Sequence, residues 1–507
     1  MDELMDLSSR TSQKTGAIAL SSTTLESLPA KIELPRYDRS HLTPGIVHIG
    51  VGNFHRAHLA WYIHRLMQQG AALDWAIIGA GVREQDSLMR KKLLAQDCLT
   101  TLIELDPLGA QETEITGVML DFLPVEADNK SLIEAMADPQ IRIVSTTVTE
   151  GGYYLDTKNN GLDLTHPDIR YDAGNPESPR TVFGSMVAAL RLRRDRGASP
   201  FTGLCCDNLV GNGAILRQAV VGLARLSDPE LAVWIDEKCS FPNSMVDCIV
   251  PATGPAELQC ARSMGVEDAA PVTHENFRQW VIEDDFCAGR PDWDLVGAEF
   301  SAHVHQHEAR KIRVLNGGHQ ILANVAEIVG VESIAEAMAT PLIHALFRKV
   351  QTEEIIPHVK PLSGSPVIDY LDLIDRRFSN DAIIDTVRRV AFDGSARHAG
   401  FILPSIRDGL ATGVSVEGLA LVEAAWARMC EGTREDGSHI EANDPLWDML
   451  TATAGAARQT PTVWLDMPQI YGDLARYERF AAAFEKWLAS IYQNGIEATI
   501  RHYIDQK

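Results

Sequence analysis

The chain has 507 residues, 45% apolar and 23% charged, a balance that fits a globular protein of two or three domains and excludes collagenous, disordered and membrane-embedded classes. Its 46 basic and 69 acidic residues leave a formal charge of −23, a field that repels phosphate backbones and anionic bilayers, so neither nucleic acid nor membrane is an expected partner. Eight scattered cysteines without a C-x-x-C pair, and a start with neither a basic nor a continuous apolar stretch, suit a cytoplasmic protein in a reducing compartment.

Residues 1–35, rich in Ser and Thr at their start, read as a flexible N-terminal extension. Structure is expected from Ile46-Val-His-Ile49, a β-like run followed by Gly50-Val51-Gly52 and then by a breaker-free apolar pattern from Phe54 to Met67 that predicts one helix. Further strands are expected at Trp75–Gly79, Ile141–Val148 and Phe201–Cys206, with helical segments between them. Such alternation predicts an α/β domain with a mostly parallel sheet, whose ligands bind beyond the carboxyl ends of the strands. Between Leu155 and Arg180 the density of Asn, Gly and Pro predicts a long surface loop. From about Glu308 onward the pattern turns helical, with expected helices at Lys311–Val329, Ile334–Thr352, Ala382–Ala391, Val416–Cys430 and Tyr477–Tyr492.

The Gly50-x-Gly52 turn has a physical use, because glycines let a backbone approach a pyrophosphate at a helix N-terminus. His55 takes the third position of the usual glycine fingerprint, so the segment is either a degenerate dinucleotide turn or a plain strand-to-helix connection. Arg56 offers a phosphate contact, and Ala57 allows close packing. Glu84, beyond the second strand, is a candidate acceptor for the adenosine ribose hydroxyls, which favours NAD over NADP; otherwise it is a solvated loop residue.

A second constellation is Lys311-Ile-Arg-Val-Leu-Asn316-Gly-Gly-His319. At about 100° per residue, His319 falls about 80° and Asn316 about 140° around an α-helix from Lys311, so all three can face one cleft. A buried lysine can act as general base, an amide can hold the reacting oxygen, and a histidine can bond the neighbouring hydroxyl. Gly317 and Gly318 are costly in a helix unless something approaches the backbone closely. The alternative is a solvated polar helix face. Asn208 closes the run Cys206-Asp207-Asn208 at a strand end, and Asp247 lies in an otherwise apolar setting that demands a partner, structural or coupled to a site. The vicinal Cys205 and Cys206 are either a redox switch or a buried strand end. His303, His305 and His307 lack a further ligand at suitable spacing, so no metal is expected.

Together, Phe54-His55-Arg56-Ala57-His58 after the glycine turn, Thr147-Val-Thr-Glu-Gly-Gly-Tyr153, Cys206-Asp207-Asn208 and the Lys311/Asn316/His319 segment resemble the mannitol dehydrogenase family of polyol-specific long-chain dehydrogenases, across about Pro44 to Pro404. The resemblance implies a Rossmann-type dinucleotide-binding domain over residues 36–300 and a mainly α-helical substrate domain over 301–507. It implies hydride transfer without metal between NAD, less so NADP, and a sugar alcohol/ketose pair, D-mannitol and D-fructose first, with arabinitol or a hexuronate such as fructuronate as alternatives. By the same resemblance Lys311 is the general base, Asn208 and Asn316 hold the oxygen, His319 orients the polyol and Asp247 couples to the lysine. Gly50, Gly52, Phe54, Arg56, Ala57 and Glu84 fall to the cofactor, and Arg389, Arg397 and His398 to the substrate. Gly151-Gly152 after Glu150 resembles the polyol branch, whereas Cys248 stands where relatives often carry arginine, and Gln85 follows Glu84 where a second acid is common.

Overall fold

The computed structural model describes residues 16–106, 111–156, 161–362 and 366–506, and the chain divides into two compact units between Ala302 and His303. Unit 1 is built on a five-stranded sheet: β1 (Pro44–Ile49), β2 (Ala76–Ala80), β3 (Met119–Phe122), β4 (Ile143–Thr146) and β5 (Thr202–Cys205). All neighbours are parallel, in the order β5-β4-β1-β2-β3. This is the doubly wound order of Rossmann domains, with its reversal point between β1 and β4.

The strands form because both faces of the sheet are covered. Val47, Ile49 and Val144 point to the side of the helices Lys130–Ala137, Val182–Asp195 and Asn212–Ser227, while Ile46, Ile77 and Ile143 share a core with residues of the 59–67 helix. A period of two therefore reads as a continuous apolar run, each fully buried Ile or Val contributing about 1.5–3 kcal/mol. Smaller sheets flank this one. Thr100–Leu105 pairs with Gln111–Thr116 and with Val272–Glu275, and Ser244–Asp247 pairs with Gln279–Ile282.

Three expectations in unit 1 need correction. Within the supposed flexible extension, Ile18–Ala19 pairs in parallel with Val266–Glu267, and Leu20, Leu28 and Ile32 are buried against Leu99 and Ile115; residues 1–15 lie outside the described part. The single helix expected at 54–67 is two, Asn53–Ala57 and Leu59–Gln68, broken at His58, whose ring bonds the Gln279 carbonyl at 3.1 Å and stacks on Phe54. The expected 155–180 loop contains a helix, Pro167–Gly174, because Pro167 occupies a first-turn position and His166 caps it; Asn159 and Asn160 fall outside the described residues.

Unit 2 is helical. A long core joins Gly317–Val329, Glu417–Met429 and Glu478–Asn494. The expected 334–352 helix is split by Pro341 into Ile334–Ala339 and Pro341–Val350, and of 382–391 only Val387–Ala391 is helical. No helix among the described residues is long and apolar enough to cross a membrane.

Candidate active site

The reversal point of the sheet brings the ends of β1 and β4 side by side, and Gly50 closes the gap. Its φ is +95°, and a Cβ there would stand 2.1 Å from the Thr147 carbonyl oxygen, so only glycine fits. Its N–H donates to the Ala80 carbonyl at 2.9 Å. The Thr147 hydroxyl donates to the Gly50 carbonyl at 2.6 Å, which leaves its oxygen to accept from His48 Nε2 at 2.9 Å and His48 Nδ1 to accept from the Ser145 hydroxyl at 2.8 Å. Burial pushes His48 down to about 3, so this chain runs through a neutral ring, stacked on His55 at 3.4 Å between centroids. Gly52 differs: it is exposed, its φ is −95°, and a Cβ would meet nothing within 4 Å. The peptide beyond the strand is thus open to an approaching group, the condition for a pyrophosphate.

The residues after Gly52 do not all serve that opening. Arg56 is 1% exposed, and its guanidinium is spent inside the protein on the carbonyls of Gly52 and Ala270 and on Asn53 Oδ1 at 2.7 Å. The expected phosphate contact is corrected: Arg56 ties the glycine turn to the Ala270 segment. Ala57 is fully buried against Leu102 and Val272, a packing position with no face for a cofactor. Phe54 stays partly exposed, and Glu84 is exposed in the turn after β2.

At the β4 and β5 ends the organising residue is Asp207, which sequence reasoning passed over. Its carboxylate accepts from the N–H groups of Val148 (3.0 Å) and Thr149 (2.9 Å) and from the Tyr153 hydroxyl (2.6 Å). This clamp holds Thr149 at φ +68°, a conformation that strains a β-branched residue. Asn212 completes the frame, its amide donating to the carbonyls of Cys205, Asp207 and Ser244. Asn208 follows on the exposed side, and Asp247, 4% exposed, ends the Ser244–Asp247 strand. Cys205 and Cys206 are both buried with free thiols. Burial, reinforced by Asp207, pushes Cys205 up to about 12, so the strand-end reading stands on firmer physical ground than a switch.

In unit 2, Lys311 to Asn316 is not α-helical but a π-helical segment running into the 317–329 helix. The wider turn changes the angles expected of an α-helix, and such insertions concentrate at functional sites. Lys311 and Asn316 are each 8% exposed. The close approach at Gly317 and Gly318 comes from the protein itself: a Cβ on Gly318 would lie 2.9 Å from Gln351 Nε2, which donates to the Val314 carbonyl of the π-helical segment at 2.7 Å. The His319 ring stacks on Phe378 at 4.2 Å and is pushed down to about 3 by burial, against the opposing pull of Asp385. Asp385 Oδ2 stands 3.8 Å from His319 Nε2, and both its oxygens accept from Arg389, at 2.6 Å each. Arg389 is therefore brought beside His319. Arg397 lies next to it, donating to the Val390 carbonyl at 2.6 Å.

His398 is elsewhere. It is fully buried, with Nδ1 2.7 Å from Glu423 Oε1, Nε2 2.9 Å from the Asn324 amide and its face stacked on Trp426. The expected substrate contact is corrected to a structural bond inside the helical core. Among the described residues no group of three His, Cys, Asp or Glu side chains is placed to hold a metal.

Comparison with known proteins adds a family to this geometry. Residues 44–295 match the mannitol dehydrogenase Rossmann domain, and residues 303–492 match the mannitol dehydrogenase C-terminal domain. The chain is 54% identical over 470 residues to the mannitol 2-dehydrogenase of Cereibacter sphaeroides, covering 93% of this chain and 98% of that one. Among solved structures it is similar to the ternary complex of Pseudomonas fluorescens mannitol 2-dehydrogenase with NAD and D-mannitol, at 39% identity and a TM-score of 0.90, over 97% of this chain and 100% of that one. A substrate-free D-sorbitol dehydrogenase is similar at 34% identity and a TM-score of 0.86, over 95% of this chain and 100% of that one. Matched in both of its parts and related along nearly its whole length, the chain belongs to the mannitol dehydrogenase family.

Proposed function

We propose that this protein is an NAD-dependent mannitol 2-dehydrogenase interconverting D-mannitol and D-fructose in the cytoplasm. The observation that carries the substrate is the 54% identity to a mannitol 2-dehydrogenase over 93% of the chain. The residues fit a dinucleotide: Gly50 makes the tight turn at the reversal point, and Gly52 leaves an open lane at the peptide. Glu84, exposed beyond β2, accepts from the adenosine ribose hydroxyls, and its charge repels a 2′-phosphate. When bound, NAD supplies the acceptor for the hydride that leaves the carbinol carbon.

The remaining chemistry belongs to side chains. Lys311 Nζ takes the hydroxyl proton, while the amides of Asn316 and Asn208 donate to the oxygen as it becomes a carbonyl. His319, neutral at working pH, hydrogen-bonds an adjacent hydroxyl and adds no positive charge. We assign Asp247 to balancing the lysine's charge as it is protonated, and Arg389 and Arg397 to the far hydroxyls. The alcohol thus loses one proton to Lys311 and one hydride to NAD, leaving the ketose. The test is nicotinamide absorbance with mannitol, sorbitol, arabinitol and fructuronate, each with NAD and NADP. Turnover highest with mannitol and NAD is expected, and turnover only with fructuronate would overturn the assignment.

A further inference from the structure

The pairing of Arg389 with a buried carboxylate has a consequence for substrate choice. Arg389 is half-exposed, whereas Asp385, which holds it, is 6% exposed. The Nε/Nη2 edge of the guanidinium is the edge best shaped to grip a carboxylate, and here Asp385 occupies it with two bonds of 2.6 Å. The main chain of Asp385 is fixed independently of that side chain. Its carbonyl accepts from Ile334 N–H and its N–H donates to the Ile383 carbonyl, both at 2.9 Å, and the next residue, Thr386, caps the Val387–Ala391 helix. The same carboxylate faces His319, 3.8 Å away. Its pull on the His319 ring exceeds the opposing push of Arg389, Arg397 or Arg377 taken singly.

We propose that Asp385 is a specificity-determining residue: by occupying the carboxylate-binding edge of Arg389 and cancelling its charge beside His319, it makes the protein accept neutral polyols and refuse sugar acids of the same shape. The inference rests on the assignment of His319 and Arg389 to the polyol. It goes beyond that assignment by naming the group that rejects the charged analogue, a rejection achieved through an occupied partner and a facing like charge.

D-Sorbitol and D-gluconate test it, since they differ in a terminal carboxylate. Both are measured as competitive inhibitors of mannitol oxidation at low ionic strength, and the readout is the ratio of their inhibition constants, gluconate over sorbitol. Asp385→Asn keeps the side-chain size and one acceptor but frees the charge of Arg389. The ratio is expected to fall about tenfold or more, the factor of one charge-assisted hydrogen bond, and to climb back as salt is added. Asp385→Glu, which keeps the charge, restores the parent preference for the neutral inhibitor. Arg389→Gln removes the cation and leaves the carboxylate, so the ratio rises, giving a second reading if Asp385→Asn does not fold. A merely structural role would weaken both inhibitors together and leave the ratio unchanged, which overturns the proposal. Failure of the functional assignment is separately visible, because the parent protein would then not oxidise mannitol.

Discussion

Gly50 and Gly52 are two residues apart in one turn, yet the structure assigns them opposite failures when each is replaced by alanine. At Gly50 the new Cβ lands 2.1 Å from the Thr147 carbonyl oxygen and the backbone φ is +95°. The left-handed conformation costs about 1–2 kcal/mol for a residue with a Cβ. Relieving the overlap by parting the ends of β1 and β4 adds about 1–3 kcal/mol, as overpacking generally does. Gly50→Ala is therefore expected to lose about 2–5 kcal/mol of stability, read as a lowered urea midpoint. At Gly52 the φ is −95° and nothing lies within 4 Å of the new Cβ, so Gly52→Ala costs only the difference between helix caps, about 0.5–1 kcal/mol. The methyl group instead fills the lane toward the peptide. Losing one charge-assisted backbone contact to a pyrophosphate is worth about 1.5–3 kcal/mol, or about 10–100-fold in Kd for NADH, measured by fluorescence titration. Parent-like NADH affinity in Gly52→Ala, or parent-like stability in Gly50→Ala, would refute the assignment of this turn.

Other consequences follow from burial and charge. Burial holds His48 and His274 at about 3 in the folded chain, whereas an unfolded histidine titrates near about 6.5; between those values the unfolded chain binds more protons, so their contribution is complete above pH 6.5 and is lost as pH falls. Each ring should cost about 2 kcal/mol by pH 5, visible as a urea midpoint that drops between pH 7 and 5, and His48→Gln should flatten the drop by one ring's share. Glu84→Gln removes the charge that repels a 2′-phosphate, so the NADP/NAD ratio of kcat/KM should rise about tenfold, and an unchanged ratio would remove Glu84 from cofactor selection. Lys311→Ala should lower kcat about 10²–10⁴-fold while NADH still binds, and parent-rate turnover near neutral pH would show that the base is another group.

The parts of this fold that were legible in the sequence are those set by neighbours in the chain. The strands at 46–49 and 143–146 announce themselves as runs rich in β-branched residues because both faces of the sheet are buried, and 202–205, Thr-Gly-Leu-Cys, shows only as a short run without charge. Contacts made at long range were invisible. Residues 18–32 look like a tail because the strand that orders them, Val266–Glu267, is far away in the chain. Arg56 looks like a phosphate ligand until the Ala270 carbonyl is found beside it, and His398 looks like a substrate contact until Glu423 is. The π-helical turn at Lys311 has no local signature, since the Gln351 amide that serves its Val314 carbonyl comes from another helix. Asp207 offered a usable signal: a carboxylate at the end of a buried strand must have partners, and the Val148 and Thr149 amides are those partners.

The central claim, hydride transfer from the C2 carbinol of mannitol to NAD, is tested most directly with D-mannitol deuterated at C2 and at its symmetry-equivalent C5. The account predicts that deuterium appears in the reduced nicotinamide, that the sugar product is D-fructose, and that the label is not found in water. Deuterium released to solvent, or an aldose product that places oxidation at C1, would contradict it.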